Sequence, residues 1–274
     1  MMGSRRAGAA GASPAAAAAA KTTIAALAGA LGISLAALGT VSMRVARKVV
    51  TPAGRVPDTD LLAVDVAAQT LTLSRNADTE LPGRYGLFTT GTASYVKVGA
   101  VLAQDETSVK RKLLTEIGTD DRLSAAAAFS GWYYSDPAEL HLPYRSELVG
   151  SPLGPCPAWF FPAADASGEP SDTWVIQIHG RGTTRAETLR AVPVFHAAGV
   201  SSLLVSYRND GEAPRSRSGT YMLGATEWRD VDAAIGAARR RGARRIFLMG
   251  WSMGGAIALQ VALNSAPRDI IAGV

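Results

Sequence analysis

At 274 residues with 47% apolar side chains, the chain is long enough for one large domain or two small ones. Its formal charge of +5 does not point to nucleic acid, because the charge is unevenly placed. Residues 1–57 carry Arg5, Arg6, Lys21, Arg44, Arg47, Lys48 and Arg55 and no acid, so the remainder is slightly acidic, with no basic stripe interleaved with aromatics.

Residues 1–21 are rich in Ala, Gly and Ser and read as a disordered tail. From Thr22 to Met43 the chain carries no charge. As a helix this run spans about 33 Å, enough to cross the hydrocarbon core of a bilayer. Lys21 stands at one end, and Arg44, Arg47 and Lys48 at the other. The reading is a single-pass N-terminal membrane anchor over residues 22–43. Its alternatives are a signal peptide cleaved before secretion and an Ala-rich helix of a soluble protein. Ser42-Met43-Arg44-Val45-Ala46 is a poor cleavage site, and cations on both sides leave the orientation open.

Thr51 to Pro57, with two prolines and a glycine, reads as a linker. Residues 51–130 form a β-rich region. Leu62, Val64 and Val66, then Leu71 and Leu73, alternate as strands do, and Tyr85–Phe88 and Tyr95–Val98 continue the pattern. Thr107 to Ile117 fits either a short amphipathic helix or another strand. No motif in this region carries chemistry. Cys156, the one cysteine, lies between Pro155 and Pro157 without a helix start or histidine beside it, so it reads as structural.

Residues 131–274 have a different rhythm. Trp174–Ile178 is a short apolar run ending in His179-Gly180-Arg181-Gly182. Thr184–Ala198 reads as a helix closed by Gly199, and Val200–Tyr207 as a strand. Ala225–Arg241 reads as a helix with a basic last turn and Gly242 beyond its end. Arg245–Gly250 is a further strand, Met253–Asn264 a helix, and Ile270–Val274 the start of a strand. This alternation predicts an α/β fold: a mostly parallel sheet with helices on both faces.

Gly250-Trp251-Ser252-Met253-Gly254 sits between a strand and a helix. A Gly-x-Ser-x-Gly there fits a nucleophile elbow, whose strained turn lifts a serine above the sheet and whose glycines let strand and helix approach. Ser252 is the candidate catalytic nucleophile. The backbone N–H of Met253 and that of Arg181 are the candidate oxyanion-hole donors. His179, Gly180, Gly182, Gly250 and Gly254 form the supporting loop and elbow. No metal cluster, phosphate loop or Gly-x-Gly-x-x-Gly occurs, so no cofactor and no metal are expected.

From about Gly131 the chain resembles the α/β-hydrolase family, and within it the serine aminopeptidase/esterase-like group. The resemblance rests on His179-Gly180-Arg181-Gly182, Tyr207-Arg208-Asn209, Glu227-Trp228-Arg229-Asp230-Val231 and Gly250-Trp251-Ser252-Met253-Gly254. It implies a nucleophilic serine, a histidine base and an orienting acid, the last two following the serine in the chain. Here only Asp269 follows Ser252 among acids, and His141, His179 and His196 all precede it. The expectation is therefore a hydrolase core incomplete at its C-terminal end, with the acid and histidine beyond residue 274, and nearly inactive as it stands. The expected function is a membrane-anchored serine hydrolase acting on a small-molecule ester, thioester or amide through a Ser252 acyl-enzyme. The alternative is a non-catalytic, membrane-tethered binding or scaffold protein with a degenerate hydrolase fold.

Overall fold

The structure is a computed structural model that describes residues 14–90, 92 and 94–274; the side chains of residues 14–30 and 32 are outside that description. The chain divides into a unit ending at Thr51 and a unit from Pro52 to Val274.

In the first unit α1 (Pro14–Val50) is a helix of 37 residues. Ala-rich sequence without an interior proline favours this. Of the expected tail 1–21, residues 1–13 are outside the described residues, and the rest begins α1. The expected membrane span over residues 22–43 is not found: among the described residues no helix is long and apolar enough to cross a membrane. The side chains of residues 22–30 and 32 of that run lie outside the described residues.

The second unit opens with six antiparallel strands, β1 (Thr59–Asp65), β2 (Thr70–Ser74), β3 (Tyr85–Phe88), β4 (Tyr95–Gln104), β5 (Ser108–Leu113) and β6 (Ala126–Ser130). They close into a barrel in the order β1-β2-β5-β4-β3-β6, which leaves no open edge. Leu71, Leu73, Leu87, Val96, Val98 and Leu113 fill it. A closed barrel at this place, within the region expected to be β-rich, does not fit a plain hydrolase fold. Within the segment 107–117 lies the strand β5, with Val109, Arg111 and Leu113 buried. Arg111 is fully buried and donates to the carbonyls of Gly99, Thr79, Leu81 and Gly83 at 2.8 to 3.0 Å. An arginine at an inward position is what hid the alternation.

The second sheet holds β7 (Arg145–Ser151), β8 (Gly154–Phe161), β9 (Thr173–Ile178), β10 (Ser201–Val205), β11 (Arg245–Gly250) and β12 (Ile271–Gly273), in the order β12-β11-β9-β10-β8-β7. β9 to β12 run parallel, and β8 pairs antiparallel with both β10 and β7. Three helices accompany the sheet: α2 (Val192–Ala197), α3 (Trp228–Arg240) and α4 (Met253–Asn264). Val231, Ile235, Ile257 and Val261 of α3 and α4 pack on Ile176, Ile178, Leu203, Ile246 and Leu248. A second cluster joins Phe161 and Leu204 to Ala186, Leu189 and Val192. The helix expected over 184–198 is split into a 3-10 turn, Arg185–Ala191, and α2. Pro193 lies in the first turn of α2, where its missing N–H costs nothing and its fixed φ starts a new segment. Gly199 and Gly242 end their helices at φ 71° and 100°.

β9 lies between β10 and β11, so the chain leaves β9 in one direction and returns on its other side. Loops that follow two such neighbouring strands separate at their carboxyl ends and leave a crevice, the usual ligand position in an open α/β sheet. The loops after β9 and β11 hold His179–Gly182 and Trp251–Ser252.

Candidate active site

Ser252 joins β11 to α4 with φ 50° and ψ −115°. This is a strained conformation for a residue with a Cβ, held only where the surroundings over-determine it. The surroundings are visible. Trp251 N donates to Ile178 O at 3.0 Å, Gly254 N to Trp251 O at 2.7 Å and Gly255 N to Ser252 O at 2.9 Å. A Cβ on Gly250 would lie 2.2 Å from Gly254 O, and one on Gly254 would lie 2.2 Å from Ile178 O. Neither position has room for a side chain. Met253, at the first position of α4, has an N–H that no carbonyl one turn back can accept.

The loop after β9 rests against this turn: a Cβ on Gly180 would be 3.5 Å from Ser252 Cβ. Gly180 N donates to Glu187 Oε2 at 2.8 Å, and the Thr183 hydroxyl donates to the same oxygen at 2.8 Å. Gly182 N is bonded to the Tyr221 hydroxyl. Gly180 and Gly182 thus spend their N–H groups inside the fold. Arg190 links the two loops, lying 3.6 Å from Glu187 Oε1 and 5.2 Å from the centre of the Trp251 ring.

His179 is fully buried and does not reach the nucleophile. Its Nε2 lies 3.1 Å from Asp210 Oδ2, its Nδ1 2.9 Å from Gly180 O, and its ring stacks on Tyr207 at 4.2 Å. Asp210 also accepts N–H bonds from Tyr207, Glu212 and Ala213. Burial alone would raise the Asp210 carboxyl, but the bond and charge of His179 and the backbone donors hold it below the usual value. Burial keeps the Tyr207 phenol protonated far above its ordinary range, and its hydroxyl donates to the carbonyls of His179 and Gly180. This network fixes the path of the loop beside Ser252.

A second buried pair ties the end of β10 to α3. Arg208 donates to Asp230 through Nε at 2.8 Å and Nη2 at 2.7 Å, and its backbone N adds a third bond at 2.9 Å. Glu227, fully buried, accepts from Met222 N and Gly224 N and so holds the segment that lies against α4.

The structure therefore brings Ser252, Met253, Gly250, Gly254, His179, Gly180, Arg181 and Gly182 together at one end of the sheet. It does not bring a histidine to the serine. Among the described residues no imidazole is hydrogen-bonded to Ser252. His141 ends a 3-10 turn at φ 52°, and His196 is half-buried on α2. Cys156 is buried, which pushes its thiol up to about 11 and makes it inert. Among the described residues no group of His, Cys, Asp and Glu is placed to hold a metal. Sequence reasoning missed Asp210, Glu187 and Tyr221. For Glu187 a signal existed: Thr184-x-x-Glu187 has the spacing of a capping box. Thr184 nonetheless makes no side-chain cap bond, and the glutamate turns to Gly180 instead.

Residues 60–130 match a domain of unknown function, DUF8805, and residues 175–274 match the alpha/beta hydrolase family. No curated protein matches the chain. Among solved structures, an esterase of Pyrococcus furiosus is 21% identical over 51% of this chain and 53% of its own, with a TM-score of 0.43. A lidless a/b serine hydrolase of Xanthomonas campestris is 18% identical over 44% of this chain and 56% of its own, with a TM-score of 0.37. An epoxide hydrolase from an endophytic Streptomyces is 19% identical over 47% of this chain and 34% of its own, with a TM-score of 0.36. The match thus spans between a third and just over half of each of these proteins. Residues 175–274 are thus similar to the alpha/beta hydrolase family, over about a third of the chain.

Proposed function

We propose that this chain carries the nucleophile and oxyanion site of a serine hydrolase that transfers an acyl group to water from an ester, thioester or amide. The observation that supports this most is the strained backbone of Ser252 at the start of α4, beside the loop that follows β9. In the proposed reaction Ser252 Oγ attacks the acyl carbon and loses its proton to a base. The N–H groups of Met253 and Arg181 stabilise the oxyanion, the alcohol, thiol or amine departs, and water releases the acid. The base is not among the residues hydrogen-bonded to Ser252, so the reaction of this chain is slow.

Prolonged exposure to a fluorophosphonate followed by peptide mapping tests the reading. An adduct at Ser252, absent from Ser252→Ala, supports it; an unmodified Ser252 beside modified surface serines refutes it. The engagement of His179 with Asp210, away from Ser252, favours a second reading, a binding protein that kept the sheet and lost the chemistry. That reading predicts no selective adduct at Ser252.

A further inference from the structure

Arg55 sits where the barrel meets the loop that follows β9. Its guanidinium carbon is 3.8 Å from the centre of the Phe88 ring and 4.6 Å from that of Trp132. Phe88 ends β3 and Trp132 follows β6, so two aromatic faces from the barrel region hold the cation. Nη1 donates to Ser130 Oγ at 3.3 Å. Nη2 is buried and has no hydrogen-bond partner. A buried guanidinium N–H left unpaired is costly, and folded proteins rarely leave one without a reason.

The acids nearby do not supply the partner. Arg55 feels the charges of Glu187, Tyr95 and Asp58, yet burial outweighs them and lowers its pKa. Glu187 is committed to Gly180 N, the Thr183 hydroxyl and Arg190. Asp58 accepts from Phe129 N and the Thr59 hydroxyl. Among the described residues no carboxylate forms an ion pair with Arg55.

Open space does adjoin Arg55. A cavity of about 400 Å³ is lined by Arg55, Phe88, Trp132, Gly182, Thr183, Asp210 and Tyr221, and the Asp210 carboxylate there is already engaged by His179 and three backbone N–H groups. Its floor is the loop beside the nucleophile. A Cβ on Gly182 would be 3.6 Å from Ala53 O on one side of that loop, and one on Gly180 would be 3.5 Å from Ser252 Cβ on the other. The cavity is therefore one loop's width from Ser252. Residues 52–55 are a wall of it and not merely a linker.

We propose that this cavity is a substrate subsite in which Arg55 binds the carboxylate or phosphate of an anionic acyl substrate, with Phe88 and Trp132 holding the guanidinium in place. This gives the barrel a role: it supplies the aromatic walls that aim the cation. The substrate assignment rests on the hydrolase reading above, whereas the anion site stands without it.

Calorimetric titration of the full chain at low salt tests this with three probes: phenylacetate, phenylphosphonate and the neutral phenylacetamide. The wild type is expected to bind at least one anion about tenfold more tightly than the amide, and the two anions tell carboxylate from phosphate. Arg55→Gln is expected to erase that preference, and Ser252→Ala to keep it. Arg55→Lys keeps the charge without the planar fork, so it is expected to retain a weaker preference, and it serves if the glutamine variant does not fold. A wild type that binds the amide as well as both anions overturns the inference, as does a folded Arg55→Gln or Arg55→Lys with the full preference. Anion binding without a Ser252 adduct sinks only the hydrolase reading. An adduct without anion preference sinks only the subsite.

Discussion

A methyl group on Gly254 would lie 2.2 Å from the carbonyl oxygen of Ile178, so the first turn of α4 meets the end of β9 backbone to backbone. That contact presses the strained turn of Ser252 against the loop after β9. Gly254→Ala and Gly250→Ala are each expected to cost about 3 kcal/mol or more, because only backbone surrounds the added atom. Gly255 is the control, since a Cβ there would sit 3.6 Å from Gly250 O, an ordinary contact. Gly255→Ala is expected to be neutral or to stabilise by up to about 1 kcal/mol through helix propensity. Urea melts of the three variants decide; equal losses at 254 and 255 would refute the close-approach account.

Strain at Ser252 has its own signature. Ser252→Gly removes the side chain from a backbone at φ 50° and is expected to stabilise the fold by about 1 kcal/mol while abolishing the fluorophosphonate adduct. In the wild type, added imidazole is expected to accelerate labelling, because among the described residues no imidazole is hydrogen-bonded to the serine. Rapid labelling that is indifferent to imidazole would show that a base is already at hand.

The Asp210 carboxyl titrates below its ordinary value of 3.8 in the folded chain. A lowered folded pKa means that its contribution is complete above 3.8 and fades as pH falls through the folded value. Asp210→Asn is expected to lose about 2 kcal/mol near neutral pH, since four donors then face a weaker acceptor. It is also expected to flatten the loss of stability between about pH 5 and about pH 2. Denaturant melts across that range provide the comparison with wild type, and parallel curves would count against the assignment.

The Arg208–Asp230 pair is buried and bidentate. Removing one partner leaves a buried charge unmatched, so Asp230→Ala is expected to cost about 4 kcal/mol. Arg208→Lys keeps the charge but loses the fork and is expected to be destabilising as well. The double variant Arg208→Met with Asp230→Leu is expected to be more stable than Asp230→Ala. A double variant worse than that single would argue that the pair itself, and not its imbalance, stabilises the fold.

Much of the parallel sheet is legible from residues close together in the chain. Arg245–Gly250, Ser252 and Met253–Asn264 are a strand, a strained turn and a helix in succession, and each announces itself locally. Gly199 and Gly242 end helices because only glycine takes their backbone angles cheaply. The barrel is not legible in this way, because its closure rests on β1 pairing with β6, as Thr59 does with Ala127, across a long stretch of chain. Arg111, an inward arginine satisfied by carbonyls, reads as surface in the sequence. The long N-terminal helix was foreseen as a helix, but no span was found among the described residues.

The sequence by itself determined the elbow, since two glycines around a serine between strand and helix meet a demand of the local backbone. Only the tertiary structure decided what stands next to it. His179 turns away to Asp210, Glu187 takes Gly180 N, and Arg55 comes to the same loop between two rings of the barrel region. Those partners are drawn together by strand order and barrel closure, which depend on burial summed over the whole chain and leave no mark at the residues themselves.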